Sequence, residues 1–148
     1  MESIYEVARY FLSKESMSHK KLQKLCYYAQ AWFLANYGFV LFPNRFEAWV
    51  HGPVSPDLYS RYRGWGWECI PKYMQQINFN DDASRVFLEQ VYDTYGCYDA
   101  DSLERITHTE LPWKNARVGC QAGAYSRNPI ALNDMRDYYG ERIGKKWS

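Results

Sequence analysis

Two segments near the start of the chain carry apolar residues at the 3.6-residue spacing of an amphipathic helix. The first follows Ser3, and Glu6 three residues later completes the pattern of a capping box, which predicts a helix over residues 3–14. The second starts near Ser18, has one broad apolar face, and stops at Gly38, a residue typical of helix C-termini. Three lysines fall opposite this apolar face, where we expect them to be solvated: Lys20, Lys21 and Lys24.

The middle of the chain carries few helix signals. Residues 46–50 alternate weakly, which predicts a short strand or an extended loop, and the two prolines that follow exclude a helix interior over 51–56. Ser55 with Pro56 then predicts a short helix as far as Arg63. Later caps predict three more helices: from Asn80, Asp81 and Asp82 to Gly96, from Asp101 with Glu104 until Pro112 and Trp113 interrupt it, and from Asn128 with Pro129 through Ile143.

These six helical segments, with little strand signal between them, predict an all-α fold. A chain of 148 residues can bury one core of its own. We therefore expect residues 1–148 to form a compact single-domain bundle of about six helices, with a short strand or hairpin near residues 46–50. Aromatic residues make up 18% of the chain, and we expect most of those on the second helix to lie in the core.

The charge balance removes several classes of function. Lys and Arg number 18 against 17 for Asp and Glu, a net charge of +1, which gives no support to a nucleic-acid partner. The sequence also gives no sign of a membrane or secreted protein. No apolar run reaches the ~20 residues of a membrane helix, and residues 1–6 do not resemble the start of a signal peptide. We therefore expect a cytoplasmic protein without a membrane partner, and four free, mostly buried thiols: Cys26, Cys69, Cys97 and Cys120.

Signals of catalysis and of bound cofactors are weak. His19, His51 and His108 have no close Cys or His neighbour at metal-ligand spacing, so we expect no metal site. No phosphate-binding or dinucleotide-binding glycine motif is present, so we expect no cofactor. His108 and Glu110 could serve acid–base chemistry, but such a pair is commoner as a structural hydrogen bond at a helix end. We predict no catalytic residue and no enzyme.

An aromatic loop follows the short helix predicted after Ser55. Trp65 lies between Gly64 and Gly66 and Trp67 follows Gly66, with no periodic apolar pattern around them. Large rigid side chains at accessible positions serve as anchors in protein interfaces. The alternative is that both tryptophans fold over the core, and the sequence leaves the two interpretations open. The predicted partner-binding residues are Tyr59, Arg61, Tyr62, Arg63, Trp65 and Trp67.

Three segments in order along the chain resemble the Panacea antitoxin domain, a SocA-like family of phage-associated proteins. They are residues 21–32, 46–54 and 106–113, with Cys26 where the family usually has Leu or Val, and the resemblance covers essentially the whole chain. It implies a mainly helical bacterial or prophage protein that neutralises a co-encoded protein toxin, of unknown identity, by binding it. Several residues of these segments either build a rigid scaffold or line a partner groove: Glu47, Trp49, His51, Pro53, His108, Glu110 and Trp113.

We therefore expect an antitoxin that occludes its toxin in a stoichiometric complex. Three alternatives stay open at this point. The protein could be an adaptor that delivers the toxin to a cellular protease, a hydrolase that uses His108 and Glu110, or a prophage regulator that binds nucleic acid through Lys20, Lys21 and Lys24. The sequence leaves the oligomeric state and the toxin-binding surface undetermined.

Overall fold

The computed structural model describes residues 1–143 and has a mainly α-helical fold with a single small hairpin in that range. This confirms the predicted fold class and the hairpin expected near residues 46–50. In chain order the elements are α1 (Ile4–Lys14), α2 (His19–Tyr37), β1 (Glu47–Trp49), β2 (Gly52–Val54), α3 (Pro56–Tyr62), a 3₁₀ turn (Arg63–Trp65), α4 (Asp82–Tyr95), α5 (Ala100–His108), α6 (Leu111–Ala116) and α7 (Leu132–Gly140).

Helix α2 is the centre of the molecule, because α1, α3, α4, α5, α7 and β2 all pack against it. Every residue from Lys21 to Trp32 is buried. The expectation that the lysines of this helix are solvated is therefore wrong for Lys21 and Lys24, and Lys20 is half-buried. The single apolar face read from the sequence is too narrow, because buried residues lie all around α2 and neighbouring elements cover the face that carries the lysines.

The ends of the first two helices agree with the sequence prediction. The Ser3 hydroxyl accepts from the Tyr5 amide and the Ser18 hydroxyl from the Lys21 amide, while Gly38 ends α2 with φ +80°. The prediction that Glu6 completes a capping box with Ser3 is wrong. The Glu6 carboxylate instead pairs with Arg9 and accepts from the Asn78 amide, which ties α1 to the loop before α4.

Two other predicted starts are wrong because tertiary contacts use the capping residues elsewhere. Helix α5 is capped by Asp99, whose carboxylate accepts from the Ser102 amide, while Asp101 and Glu104 face Lys20. Residues 128–130 run beside β1 instead of opening the last helix. The Ala48 amide donates to the Asn128 carbonyl at 2.8 Å, and the Ile130 amide donates to the Phe46 carbonyl at 2.9 Å. Helix α7 therefore starts at Leu132 and ends before Ile143.

Pro112 explains why the described chain has one α-helix more than the six predicted segments. It lies in the first turn of α6, where its missing amide donor is tolerated. The stretch that the sequence presents as an interrupted helix is thus two helices, α5 and α6.

The N-terminus is fastened to α4 by a buried carboxylate. Glu2, 5% exposed, accepts hydrogen bonds from the Asn80 amide at 2.7 Å, the Asp81 amide at 3.0 Å and the Ser84 hydroxyl at 2.7 Å. The amides at a helix N-terminus favour negative charge. Glu2 therefore adds to the cap that Asp81 provides for its own helix.

The cysteines are free, as predicted, but the expectation that most are buried is wrong. Cys26 is buried, Cys69 and Cys97 are exposed, and Cys120 is half-buried. Within residues 1–143, none of the helices has the length and apolar character required to cross a membrane.

Candidate functional site

The three segments singled out in the sequence meet around the hairpin. The Gln23 side chain makes two hydrogen bonds to the Ser55 backbone, donating to its carbonyl at 3.1 Å and accepting from its amide at 2.8 Å. On the other side, the Trp113 indole donates to the Trp49 carbonyl at 2.9 Å. Helix α2 and the start of α6 therefore hold the hairpin from two sides.

Lys24 lies inside this junction. Its side chain is 1% exposed, and its ammonium nitrogen lies 3.3 Å from the Pro53 carbonyl oxygen. A Cβ at Gly52, where φ is +112°, would lie 2.5 Å from the Lys24 Cε, so the glycine leaves the space that the lysine occupies. Burial, reinforced by the positive charge of Lys20, lowers the pKa of Lys24 to about 7.

A cleft of about 370 Å³ opens over Lys24, between α2, the hairpin and the 3₁₀ turn. Its lining within residues 1–143 includes five basic side chains and the neutral Gln23, but no Asp or Glu. Three aromatic rings also line the cleft, and those of Trp49 and Tyr59 pack edge to face at 5.0 Å between ring centroids. The charged and titratable lining residues are His19, Lys20, Lys24, His51 and Arg63, and the aromatic ones are Trp49, Tyr59 and Trp67.

The predicted partner-binding residues divide into two groups around this cleft. Tyr59 and Arg63 line it, since residues four apart share a helix face. Arg61 and Tyr62 are directed elsewhere: the Arg61 guanidinium lies 4.0 Å from the centre of the Tyr5 ring, and Tyr62 packs partly against the core.

Both tryptophans of the glycine-rich loop are accessible. Trp67 is 93% exposed at the cleft and Trp65 is 40% exposed beside it. The alternative in which they fold over the core is therefore wrong. A fully exposed tryptophan is unusual, because this side chain normally buries most of its large apolar surface.

Glu104 organises the cationic wall of the cleft. A carboxylate oxygen of Glu104 lies 2.5 Å from the Lys20 Nζ and 3.3 Å from the His51 Nδ1. Asp101 is a second partner of Lys20, with its carboxylate oxygen 2.9 Å from the Nζ. Burial alone would raise the pKa of Glu104, but hydrogen bonds from Lys20 and His51 lower it. Burial also lowers the pKa of His19, and the Lys24 charge adds to this effect. The cleft therefore disfavours further positive charge.

The Glu47 corner behaves as a scaffold. Glu47 is 3% exposed, and its carboxylate accepts from the Trp49 indole at 2.8 Å, from Arg45 at 2.9 Å and from Arg127 at 3.2 Å. All three of these partners are side chains. These bonds fix the position of the Trp49 ring in the cleft wall.

His108 and Glu110 lie in different surroundings. Glu110 is buried among tyrosines and accepts from the Tyr28 hydroxyl at 2.7 Å and from the Tyr139 hydroxyl at 2.8 Å. The His108 ring stacks on Trp113 at 4.0 Å between centroids, and burial lowers its pKa. The carboxylate of the suggested pair thus belongs to the core, and the part of the chain that the structure describes has no cluster of three or more His, Cys, Asp or Glu residues able to hold a metal ion.

The sequence analysis did not include Lys24 or His19 among the partner-binding residues, and it gave Lys24 a functional role only in the nucleic-acid alternative. A signal for Lys24 was present, because apolar residues of α2 occupy every face of the helix rather than one stripe: Leu22, Leu25, Cys26, Tyr27, Tyr28, Ala29 and Ala31. A helix with this pattern is buried all round. A lysine within it must then reach a cleft or a buried partner.

Comparison with known protein families matches residues 22–114 to the family described as antitoxin SocA-like, Panacea domain. The matched range is more than half of the chain and contains Lys24, the hairpin, α3 and Trp67. No curated protein and no solved structure matches the chain.

Proposed function

Because the chain belongs to the SocA-like Panacea antitoxin family, we propose that it is an antitoxin that neutralises a protein toxin by binding it directly. The toxin is the product of a neighbouring gene, and the complex forms in the cytoplasm of a bacterium or of a prophage-carrying cell. Neutralisation by occlusion requires a stable complementary surface and no turnover, so the protein acts without catalysis.

The observation that carries the proposed surface is Trp67, 93% exposed beside a cleft with aromatic and cationic walls. Trp, Tyr and Arg are the residue types that dominate interface hot spots, and Tyr59 and Arg63 stand on the same cleft wall. We therefore assign toxin contact to these three residues and Trp65. Arg61 and Tyr62 are close in the chain but point away from the cleft, whereas Trp49 and His51 line it.

The proposal is tested by co-expressing this chain with the product of each adjacent open reading frame. One neighbour should arrest growth alone and lose this effect when the chain is present. With both proteins purified, inhibition of the toxin should reach completion at a fixed stoichiometric ratio. Protection at far lower ratios would contradict occlusion and indicate an enzyme. Faster decay of the toxin in cells that contain the chain would indicate a proteolytic adaptor.

The surface is tested with the double variant Trp65→Ala and Trp67→Ala. Loss of two hot-spot rings should weaken toxin binding by more than about 2 kcal/mol, or roughly 30-fold, and leave the helical spectrum unchanged. Phe39→Ala is the matched control, because Phe39 is 63% exposed but lines a different depression beside α4. Full affinity of the double variant, or loss of binding by Phe39→Ala instead, would place the toxin on another surface.

A nucleic-acid regulator working through the α2 lysines has less support. Lys21 and Lys24 are buried, and Lys20 is paired with Asp101 and Glu104. Phosphate contacts require accessible cations, and these three do not form an accessible stripe.

A further inference from the structure

We infer that the cleft over Lys24 is a carboxylate-binding site, which receives one Asp or Glu side chain of the toxin and pairs it with the Lys24 ammonium. This inference rests on the proposed function, because the carboxylate belongs to the toxin. It goes further by naming the chemistry that the partner must present.

The first argument is that Lys24 differs from the other two lysines of α2. Lys20 has Glu104 and Asp101 within 3 Å, and Lys21 lies 3.0 Å from a Glu15 carboxylate oxygen and 2.8 Å from a backbone carbonyl. Lys24 is the most buried of the three, yet within residues 1–143 no carboxylate lies within ion-pair distance of its nitrogen. Burying a cation without a counter-charge is strongly unfavourable. A partner that brings the counter-charge removes that penalty.

The second argument is the charge of the cleft. Lys24 and Arg63 line it, Lys20 stands at its edge with its charge offset by Glu104 and Asp101, and acidic residues are absent from the described lining. The buried Lys24 ammonium carries one positive charge, so a group with one negative charge neutralises it. A carboxylate side chain fits this requirement, and the surrounding low dielectric strengthens the resulting pair.

The third argument is that the cleft offers a further polar group and apolar walls. The buried Nδ1 of His19 has no hydrogen-bond partner among residues 1–143, so it is able to donate to the second oxygen of a carboxylate. Trp49, Tyr59 and Trp67 line the cleft, where they can pack on the methylene groups of Asp or Glu and exclude water. Such a site binds the carboxylate through its polar groups and the methylene groups of the same side chain through its aromatic rings.

The arrangement links binding to proton uptake. The charged and titratable groups around Lys24 are His19 and Lys20 on α2, His51 in the hairpin turn, Arg63 in the 3₁₀ turn, and Glu104 and His108 on α5. With a pKa of about 7, the free Lys24 amine is mainly neutral at pH 8. A carboxylate beside it favours the ammonium, so complex formation at pH 8 takes up close to one proton.

The test is isothermal titration calorimetry at pH 8, with the purified toxin as the probe and two buffers that differ in ionisation enthalpy. The wild-type complex should take up close to one proton. Lys24→Met should bind at least ~30-fold more weakly and take up no proton, because truncating one member of a buried charge pair weakens binding severely. Lys21→Met is the matched control, since Lys21 is a buried lysine on the same helix that lies outside the cleft.

A second arm identifies the toxin residue. Each surface Asp and Glu of the toxin is replaced by Asn or Gln, and one replacement should reproduce the loss seen with Lys24→Met and add nothing to it in the double variant. Wild-type affinity and proton uptake in Lys24→Met would overturn the inference and leave the antitoxin function standing. Absence of any complex with wild-type protein would overturn both.

Discussion

Replacing Lys24 with methionine should make the free protein more stable, by an amount that depends on pH. Methionine keeps the unbranched shape of the lysine stem and removes the amine. In the wild type the amine lies 1% exposed, 3.3 Å from the Pro53 carbonyl oxygen, with its pKa lowered from 10.5 to about 7 by burial. The unfolded chain holds the proton more tightly than the folded chain, so protonation favours unfolding.

The size of the effect follows from the two pKa values. Because the folded-state pKa lies below the unfolded one, wild-type stability rises as the pH rises from 7 to 10.5 and is constant below that window. At 1.36 kcal/mol per pKa unit, the penalty from Lys24 is about 4 kcal/mol at pH 7 and about 2 kcal/mol at pH 9. The variant also loses the hydrogen bond from Lys24 to the Pro53 carbonyl, and this loss reduces its gain in stability by about 1 kcal/mol at both pH values. Lys24→Met should therefore gain about 3 kcal/mol at pH 7 and about 1 kcal/mol at pH 9.

The assay is urea denaturation followed by circular dichroism at pH 7 and pH 9, on the wild type and the variant in parallel. Lys21→Met serves as the control. It should lower the free energy of unfolding at both pH values, because the wild-type Lys21 ammonium donates hydrogen bonds to the Glu15 carboxylate and to the Gly96 carbonyl. An equal difference between Lys24→Met and wild type at the two pH values would refute the reasoning. It would mean that the folded protein keeps Lys24 charged across this range. A variant less stable than wild type at pH 7 would also refute it.

Three further predictions concern stability and use the same denaturation assay. Tyr28→Phe should lower the free energy of unfolding by about 1.5–3 kcal/mol, because it removes a donor from a buried carboxylate. Tyr10→Phe is its control and should be neutral or stabilising, since the buried Tyr10 hydroxyl has no hydrogen-bond partner among residues 1–143. Gly52→Ala should lower the free energy of unfolding by more than about 1 kcal/mol, through its positive φ and the contact of the new Cβ with Lys24; wild-type stability would contradict both effects. Glu2→Ala should lower the free energy of unfolding by about 1–3 kcal/mol through the orphaned donors at the start of α4, and a urea midpoint equal to that of the wild type would contradict this role.

The sequence predicted the helices best where the stabilising contacts are local. Ser3 and Ser18 cap α1 and α2 through amides two or three residues away, and Gly38 ends α2 by its own backbone geometry. Predictions failed where a capping side chain had a better partner far along the chain. Glu104 is the clearest case, because it pairs with Lys20 instead of capping α5.

The candidate site was predicted in part. Gly64 and Gly66 and the absence of apolar periodicity singled out Trp65 and Trp67, but the sequence left open whether these rings are exposed or fold over the core, and the structure shows both accessible. The cleft itself could not be anticipated, because Tyr59, Arg63 and Trp67 become its wall only when α3 packs beside α2. Whether these residues contact a toxin is a prediction for the binding experiments.

By itself, the sequence determined the helical class, most helix boundaries, the hairpin region and the family, since each depends on residue spacing or on hydrogen bonds between near neighbours. The tertiary structure alone decided which polar groups are buried. The apolar residues on every face of α2 indicate that this helix is buried all round, but they do not show what covers Lys24. The tertiary structure places the hairpin and α5 against one side of Lys24 and the cleft on the other. Burial depends on what covers a side chain, and that covering comes from residues about 30 and 80 positions away, whose approach no local pattern records.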